Sequence, residues 1–563
     1  VTSTMAISGS ATSTGSFGKV TSAGGVFEGD GSRELIITDS SVISLSNNDG
    51  GSNNTIFGRY AGANGSIGVR NAFFGDTVAN ETLTTDASNN VGVGYRAMHL
   101  LTAGSENTSI GSSAGYAMYT GVRNVAIGAN SLYFGAAQKT VAIGYEAGRY
   151  ATGSFNTFVG SQAGVGGTTS APYSSGQYNT AVGREALKVF TTGTRNIAIG
   201  SQAAYRLTTG TYNIAIGDTS LAGVVTGAHN VVLGYYAGGQ ISSGEDNIAL
   251  GRNSLAYSTT ANDNIAIGQY ASHRTGQYIA ATNTIAIGRF SGYYNQGSYN
   301  VFMGYYAGHG SSAGANSPGV NNVGIGSSAL QSFRSGSQNT AVGRHALLVN
   351  IDGSDSTAIG QQAGAYTTGS YNTFVGSKAG HGVNSYPVYS SGVDNTAVGY
   401  QALTAFTTGQ KNTAIGKGSL DSLTTGDQNT ALGRSSLPAL TIGGNNVGLG
   451  FDAGLLTTEG NHNIYIGTEA GANNTTGDEL ILIGYRAGYA INDASSADGT
   501  VAIGYTAGQA LTSGGSNTVI GYQSGKSLTT SGNNVAIGYD SLISAVDSCN
   551  SNVAIGVQSM RYV

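Results

Sequence analysis

Residues 195–217 read RNIAIGSQAAYRLTTGTYNIAIG, so the unit Asn196-Ile197-Ala198-Ile199-Gly200 returns seventeen residues later as Asn213-Ile214-Ala215-Ile216-Gly217. The unit appears again at Asn412–Gly416, and aligning the chain on its closing glycine gives 29 copies between Gly58 and Gly556, most of them 17 residues apart. A fixed short period of this kind is the signature of a stacked-repeat architecture. With the closing glycine as position 0, Asn occupies −4 in 24 of 29 copies, and Ala or Ser occupies +3 in all but one, Val78. Positional strictness of this degree reflects geometry.

At −3 and −1, residues such as Ile197 and Ile199 are β-branched and alternate with a small Ala, the two-residue period of a strand with one buried face. An apolar residue often returns at +7 (Phe190, Leu207, Phe406, Leu423, Leu440, Leu511, Leu528), commonly followed by Thr-Thr-Gly, which predicts a second short strand closed by a turn. Such a unit cannot bury its apolar face alone, but stacking coil on coil buries a continuous core. The expected fold class is therefore all-β, a β-solenoid of about 29 short coils. At about 4.8 Å per strand it makes a rod of roughly 140 Å. Glycine supplies the positive φ or the close backbone approach that a tight corner demands, and Asn offers a side-chain amide to a neighbour. Stacked asparagines are expected to form a ladder along the rod.

Composition agrees. The 563 residues include 91 Gly, 4 Pro and no Trp, only 9% are charged, and 39% are hydrophobic, which fits neither an ordinary globular domain nor a disordered chain. The net charge of −5, with no basic run, excludes the electrostatic footprint of a nucleic-acid binder. Cys549 is the single cysteine and forms no internal disulfide, so stability is expected from packing or association. No apolar run is long enough to predict membrane insertion, and Val1–Gly15 lacks the pattern of a signal peptide. A start at Val1 instead of Met reads as a processed product or fragment.

A second periodicity lies above the first. YSSGQYNTAVGREALKVFTTGTRNIAIG at 173–200 returns as YSSGVDNTAVGYQALTAFTTGQKNTAIG at 389–416, so residues 160–375 and 376–563 are related by an offset of 216 residues, or twelve coils. Longer coils are expected to bulge as loops, and Pro172, Pro318 and Pro387 sit in such insertions, where no ladder donor is needed. Residues 1–50 differ and read as a linker and capping segment, with a hairpin over Glu34–Thr38 and Ser41–Leu45, ahead of the repeat array at 51–563. Val553–Gly556 is still mid-pattern, which predicts truncation or a partner beyond Val563.

The array from about Asn54 to Gly556 resembles the Asn-Thr-Ala-Ile-Gly repeats of phage tail-fibre and related virion proteins, and more distantly the heads of trimeric autotransporter adhesins. The SGSATSTGSFG opening also resembles segments that precede such arrays in phage structural proteins. The resemblance implies a parallel β-roll, three chains around one axis, and a virion location. It also implies partners at the ends among other fibre or baseplate proteins. The chain departs from the adhesins in its 17-residue coil and in lacking a heptad stalk and membrane anchor, and from many complete tail fibres in lacking a C-terminal self-cleaving chaperone domain. Leucines at +4 (Leu187, Leu221, Leu255, Leu330, Leu403, Leu420, Leu542), where other coils have Gly, are candidates to face a neighbouring chain.

Catalytic, metal and cofactor chemistry is not expected. Gly111-Ser112-Ser113-Ala114-Gly115 matches the hydrolase elbow formally but is one copy of the repeat, and the seven histidines form no H-x-x-x-H pair. Of 33 tyrosines, many follow the closing glycine directly (Tyr95, Tyr145, Tyr235, Tyr305, Tyr400, Tyr485, Tyr505, Tyr522, Tyr539), where they shield the outer face or bind sugars. Discrete contacts with a receptor, including host surface glycans, are assigned to the loops around Tyr173, His309, Tyr386 and Tyr389, because loops on a rigid scaffold carry specificity. Three functions follow: a phage fibre or virion appendage that mediates host attachment, an extracellular adhesin or surface filament, and an ice-binding solenoid. The last is weakened because consecutive threonines point to opposite faces.

Overall fold

Among the described residues, twenty-nine three-residue strands, from Thr55–Phe57 to Val553–Ile555, pair in chain order into one parallel sheet. The computed structural model describes residues 53–562 except 63–67, 136, 168–172, 274–280, 311–316, 386–388, 493–496 and 545–548; the N-terminal segment with its expected hairpin lies outside them. Among the described residues there is no helix. The chain is all-β, a parallel β-solenoid of short coils of about 17 residues. Each strand is the Ile197-Ala198-Ile199 segment of its repeat, in register one coil on: Ile197 opposite Ile214, Ala198 opposite Ala215, Ile199 opposite Ile216. Longer coils keep that register, as where Thr157–Val159 pairs with Thr180–Val182.

The strand alternation resolves against hydrophobicity. Ala198 is fully buried, whereas Ile197 and Ile199 remain 37% and 38% exposed. The −2 side chain is the one that points into the coil, and it is small where a leucine at +4 fills the same space, while the β-branched groups on either side turn outward. The other core columns come from +3, +4 and +7. Serine replaces alanine at +3 without leaving an orphan hydroxyl in coils such as those of Ser131, Ser220 and Ser254, because Oγ donates to the closing glycine's carbonyl three residues back, at 2.9, 3.0 and 2.9 Å.

The leucines at +4 correct the expectation of a neighbouring chain. Leu187, Leu221, Leu255, Leu330, Leu403, Leu420 and Leu542 are all buried within their own coils. They alternate with glycine for reasons of space and not of backbone. Leu330 (φ 51°) and Gly308 (φ 54°) share the left-handed conformation, but a Cβ on Gly308 would lie 2.1 Å from the Phe302 ring. Gly164 beside Phe158 and Gly380 beside Phe374 repeat that exclusion. In four of the five coils with an aromatic residue at −2 (Phe158, Phe302, Phe374, Tyr465) +4 is glycine, Phe73 having Ala79 instead, and wherever +4 is leucine −2 is Ala or Gly, so the two positions share one space in the core.

The closing glycine is a different case. Gly200 has φ 131°, and an added Cβ would sit 2.6 Å from the carbonyl oxygen of Gly217 in the next coil. Both demands exclude a side chain.

The second expected strand is a correction as well. Apart from isolated bridges, among the described residues it forms only where Arg206–Leu207 pairs with Val224–Val225. The apolar residue at +7 is buried as predicted in Phe190, Leu207, Phe406, Leu423, Leu440, Leu511 and Leu528. The backbone after it bends, so that the amides of Thr191 and Gly193 converge on one carbonyl, that of Thr208, instead of alternating along a ladder.

The asparagine ladder is present. Nδ2 of Asn213 donates to Oδ1 of Asn196 at 3.2 Å and to the carbonyl of Gly227 at 3.0 Å, and the backbone amide of Asn213 donates to the same Oδ1 at 2.9 Å. One amide thus ties three successive coils. Asn412 and Asn429 repeat the arrangement. Where Thr140 or Ser356 replaces Asn, its backbone amide still donates to the preceding Oδ1, and its hydroxyl takes over weaker contacts to the next coils.

Two expectations follow. Asn213→Ala and Asn230→Ala each strand buried polar groups, costing about 1–3 kcal/mol apiece in chemical denaturation. Phe302→Ala leaves a cavity worth about 3–5 kcal/mol. Adding Gly308→Leu to Phe302→Ala recovers most of that loss, because it recreates the Ala/Leu coil, whereas Gly308→Leu alone destabilises by overpacking; a double-mutant cycle on the melting transition reads the coupling.

Candidate interaction surfaces

Three surfaces of the rod differ in what they offer. The first is the corner between +5 and +12. Every change of repeat length falls there, while from the buried Asn at −4 to position +4 no copy gains or loses a residue. Insertions confined to one side of a solenoid are the usual place for its binding loops.

Of the residues assigned to receptor contact, Tyr386 lies outside the described residues. Tyr173 stacks on Phe134 with centroids 4.7 Å apart, and Tyr389 lies parallel to Tyr366 at 6.5 Å. Tyr173 and Tyr389 occupy equivalent places twelve coils apart, roughly 60 Å along the rod, so the assigned residues do not converge on one site.

His309 belongs to a cluster that sequence reading missed. Tyr270, Phe290 and Tyr306 stand at +2 of successive coils, and His273, Tyr293 and His309 at +5. Tyr270 stacks on Phe290 at 5.1 Å, His273 on Tyr293 at 5.0 Å and Tyr293 on His309 at 5.3 Å. The two columns meet edge to face, with Tyr270 to His273 at 4.9 Å and Phe290 to Tyr293 at 5.4 Å. The signal was available: in no other run of three coils are both columns aromatic throughout. His273 is buried among these rings, and among the described residues its Nδ1 has no hydrogen-bond partner, so burial pushes its pKa down to about 4. Burial also lowers His309, His345 and His381.

Tyrosines at +1 form the second surface. Tyr485, Tyr505, Tyr522 and Tyr539 stack at 5.2, 5.2 and 5.1 Å with planes within 18°. Stacking along the rod occupies the ring faces, so solvent meets ring edges and phenol hydroxyls. A glycan that packs on ring faces therefore finds them only at the ends of such columns.

The third surface is the outward side of the strands. Position −1 is a large apolar residue in all 29 coils, and −3 is Val or Ile in 17, Thr in 11 and Ala in one. The column at −1 is half-buried or exposed along the rod and nowhere fully buried, with Leu233 at 37% and Ile359 at 43% exposed.

In the Thr-Thr-Gly segments the threonine at +8 is not a free hydroxyl, whereas the second threonine, as at Thr209, Thr408 and Thr425, is exposed. Oγ1 of Thr407, Thr424, Thr441 and Thr458 donates to the carbonyl of the residue one coil on, at 3.0, 2.9, 2.9 and 3.1 Å. Gly111–Gly115 sits at the same strand-to-turn corner as its counterparts in other coils. Among the described residues no group of His, Cys, Asp or Glu is placed to hold a metal ion, and no helix is long and apolar enough to cross a membrane. No family model matches the chain, and no curated protein matches it.

A pH dependence follows from His273. The folded state takes up its proton only near pH 4, while the unfolded chain does so near 6.5, so protonation favours unfolding. Stability present above pH 6.5 is expected to fall between pH 6.5 and about 4, by at most about 3 kcal/mol from this residue. His273→Phe should flatten that slope in urea denaturation series at pH 7 and pH 4.

Proposed function

We propose that the chain is a structural fibre of a phage tail or virion appendage, homotrimeric and non-enzymatic, that spans distance and mediates attachment to a host surface. The observation that carries this reading is the unbroken 29-strand parallel sheet, which makes one stiff element out of the whole described chain. Each coil contacts only its neighbours, so length is gained by adding coils without redesigning a core. At roughly 140 Å such a rod separates its two ends by about twice the diameter of a globular domain of similar mass. The resemblance of the Asn-Thr-Ala-Ile-Gly array to tail-fibre repeats supplies the biological setting and the threefold assembly.

In this reading other fibre or baseplate proteins hold the ends, and the insertion corner, with Tyr173, His309 and Tyr389, meets host surface groups, glycans among them. Gold-labelled antibody to the chain, applied to the source material and viewed by electron microscopy, is expected to decorate virion tails. Label on cell surfaces or free filaments overturns the phage setting in favour of an extracellular adhesin or surface filament.

A further inference from the structure

An outward apolar column 29 coils long, with side chains that are half-buried or exposed in every coil, is unusual for a soluble surface, where contiguous patches above a few hundred Å² mark interaction sites. Charge is absent from both columns of the strand face in every coil, and −1 never accepts a polar residue, although its side chains are only partly covered when one chain stands alone. Two outward columns about 7 Å across, over roughly 140 Å of rod, give on the order of 1,000 Å² per copy, shared between two neighbours in a trimer and comparable in total with the roughly 800 Å² that each partner gives to a stable pairwise interface.

We propose that this strand face, at positions −3 and −1, is where copies of this chain meet side by side, parallel and in register. The inference rests on the homotrimeric part of the fibre reading and names its contact surface. The occupant must offer apolar groups at every coil, about 4.8 Å apart, along the whole rod, and a second copy does so by construction. Its approach is unobstructed, since every insertion falls between +5 and +12 while the segment carrying the strand keeps constant length in all copies. Rotation about a common axis requires all copies to run the same way, and closure leaves no apolar column uncovered. In-register contact also sets like against like: the six consecutive threonines at −3 from Thr340 to Thr430 meet threonines, and the flanking Val and Ile runs meet their own kind. The graded composition places −1 nearest the axis and −3, which accepts threonine, toward the rim.

The test uses the full chain with Cys549→Ser, carrying Ile214→Cys and Ile216→Cys on the strand face, and a control with Thr209→Cys on the exposed opposite corner. Mild oxidation is expected to link copies through 214 and 216 and to leave the control unlinked, while sedimentation of the unmodified chain gives three copies. Ile199→Asp with Ile216→Asp and Leu233→Asp should reduce the sedimenting species to a single chain with its β-sheet circular dichroism retained, since these side chains lie outside the core. A trimer that neither links through 214 or 216 nor responds to the aspartates overturns this face and leaves the fibre reading standing. An unmodified chain that sediments alone at micromolar concentration overturns both the face and the homotrimer, while immunogold localisation still decides the virion setting.

Discussion

The buried amide at −4 is the constraint on which the rest of the structure depends. Asn213 uses both its amide protons and its carbonyl oxygen inside the molecule, on partners one coil back and one coil on, so it is satisfied only if successive coils stack at fixed height and in register. A slip of one residue would leave these groups unpaired away from water in coil after coil, at about 1–3 kcal/mol for each group, and would turn the buried side chains of each strand outward as well. The strand register, the closing glycine whose Cβ would strike the next coil, and the corner carbonyls that receive the amide all follow from that spacing. The chain therefore specifies a stacking geometry first and a core second.

A core built under that constraint is narrow, and its narrowness explains where sequence reading failed. Alternation in Ile-Ala-Ile says that one face is buried without saying which, and hydrophobicity points to the wrong one: in a thin coil the alanine goes in and the isoleucines go out. The same narrowness misled the reading of Leu187 and its counterparts, which replace an aromatic ring at −2 of the same coil and do not face a neighbour. Repeat length, coil count, the asparagine ladder and the closing glycine were legible because each is a positional invariant. The second strand was not, because Thr-Thr-Gly favours extended backbone locally while the converging amides of Thr191 and Gly193 require a bend.

The surfaces were legible in part. Tyrosine columns at +1 were visible from spacing alone, but their stacking, which hides the ring faces, is a property of neighbouring coils. The aromatic corner around His309 required reading two columns together, since neither Tyr270 nor His273 is distinctive alone. Tyr173 and Tyr389 appeared as one kind of site because the 216-residue duplication copied them, and the structure separates them by twelve coils.

The division between a variable corner and a constant face has a physical origin. Across the insertion that follows Gly164, the amide of Thr152 still reaches the carbonyl of Ser174, so stacking resumes as soon as the chain returns to the rod. Lengthening such a loop costs little, because closure entropy grows only with the logarithm of its length. An extra residue between −4 and +4 would shift the amide, the strand and the closing glycine out of alignment with both neighbours at once, and no later residue could restore them. Selection for stacking alone therefore keeps one side of the rod smooth and leaves the other free to vary. Stacking does not, however, explain why the smooth side is apolar, since threonine at −3 pairs as well as isoleucine in the same ladder. The unbroken apolar column at −1 calls for a second cause outside the single chain, and the lateral burial proposed above would supply it.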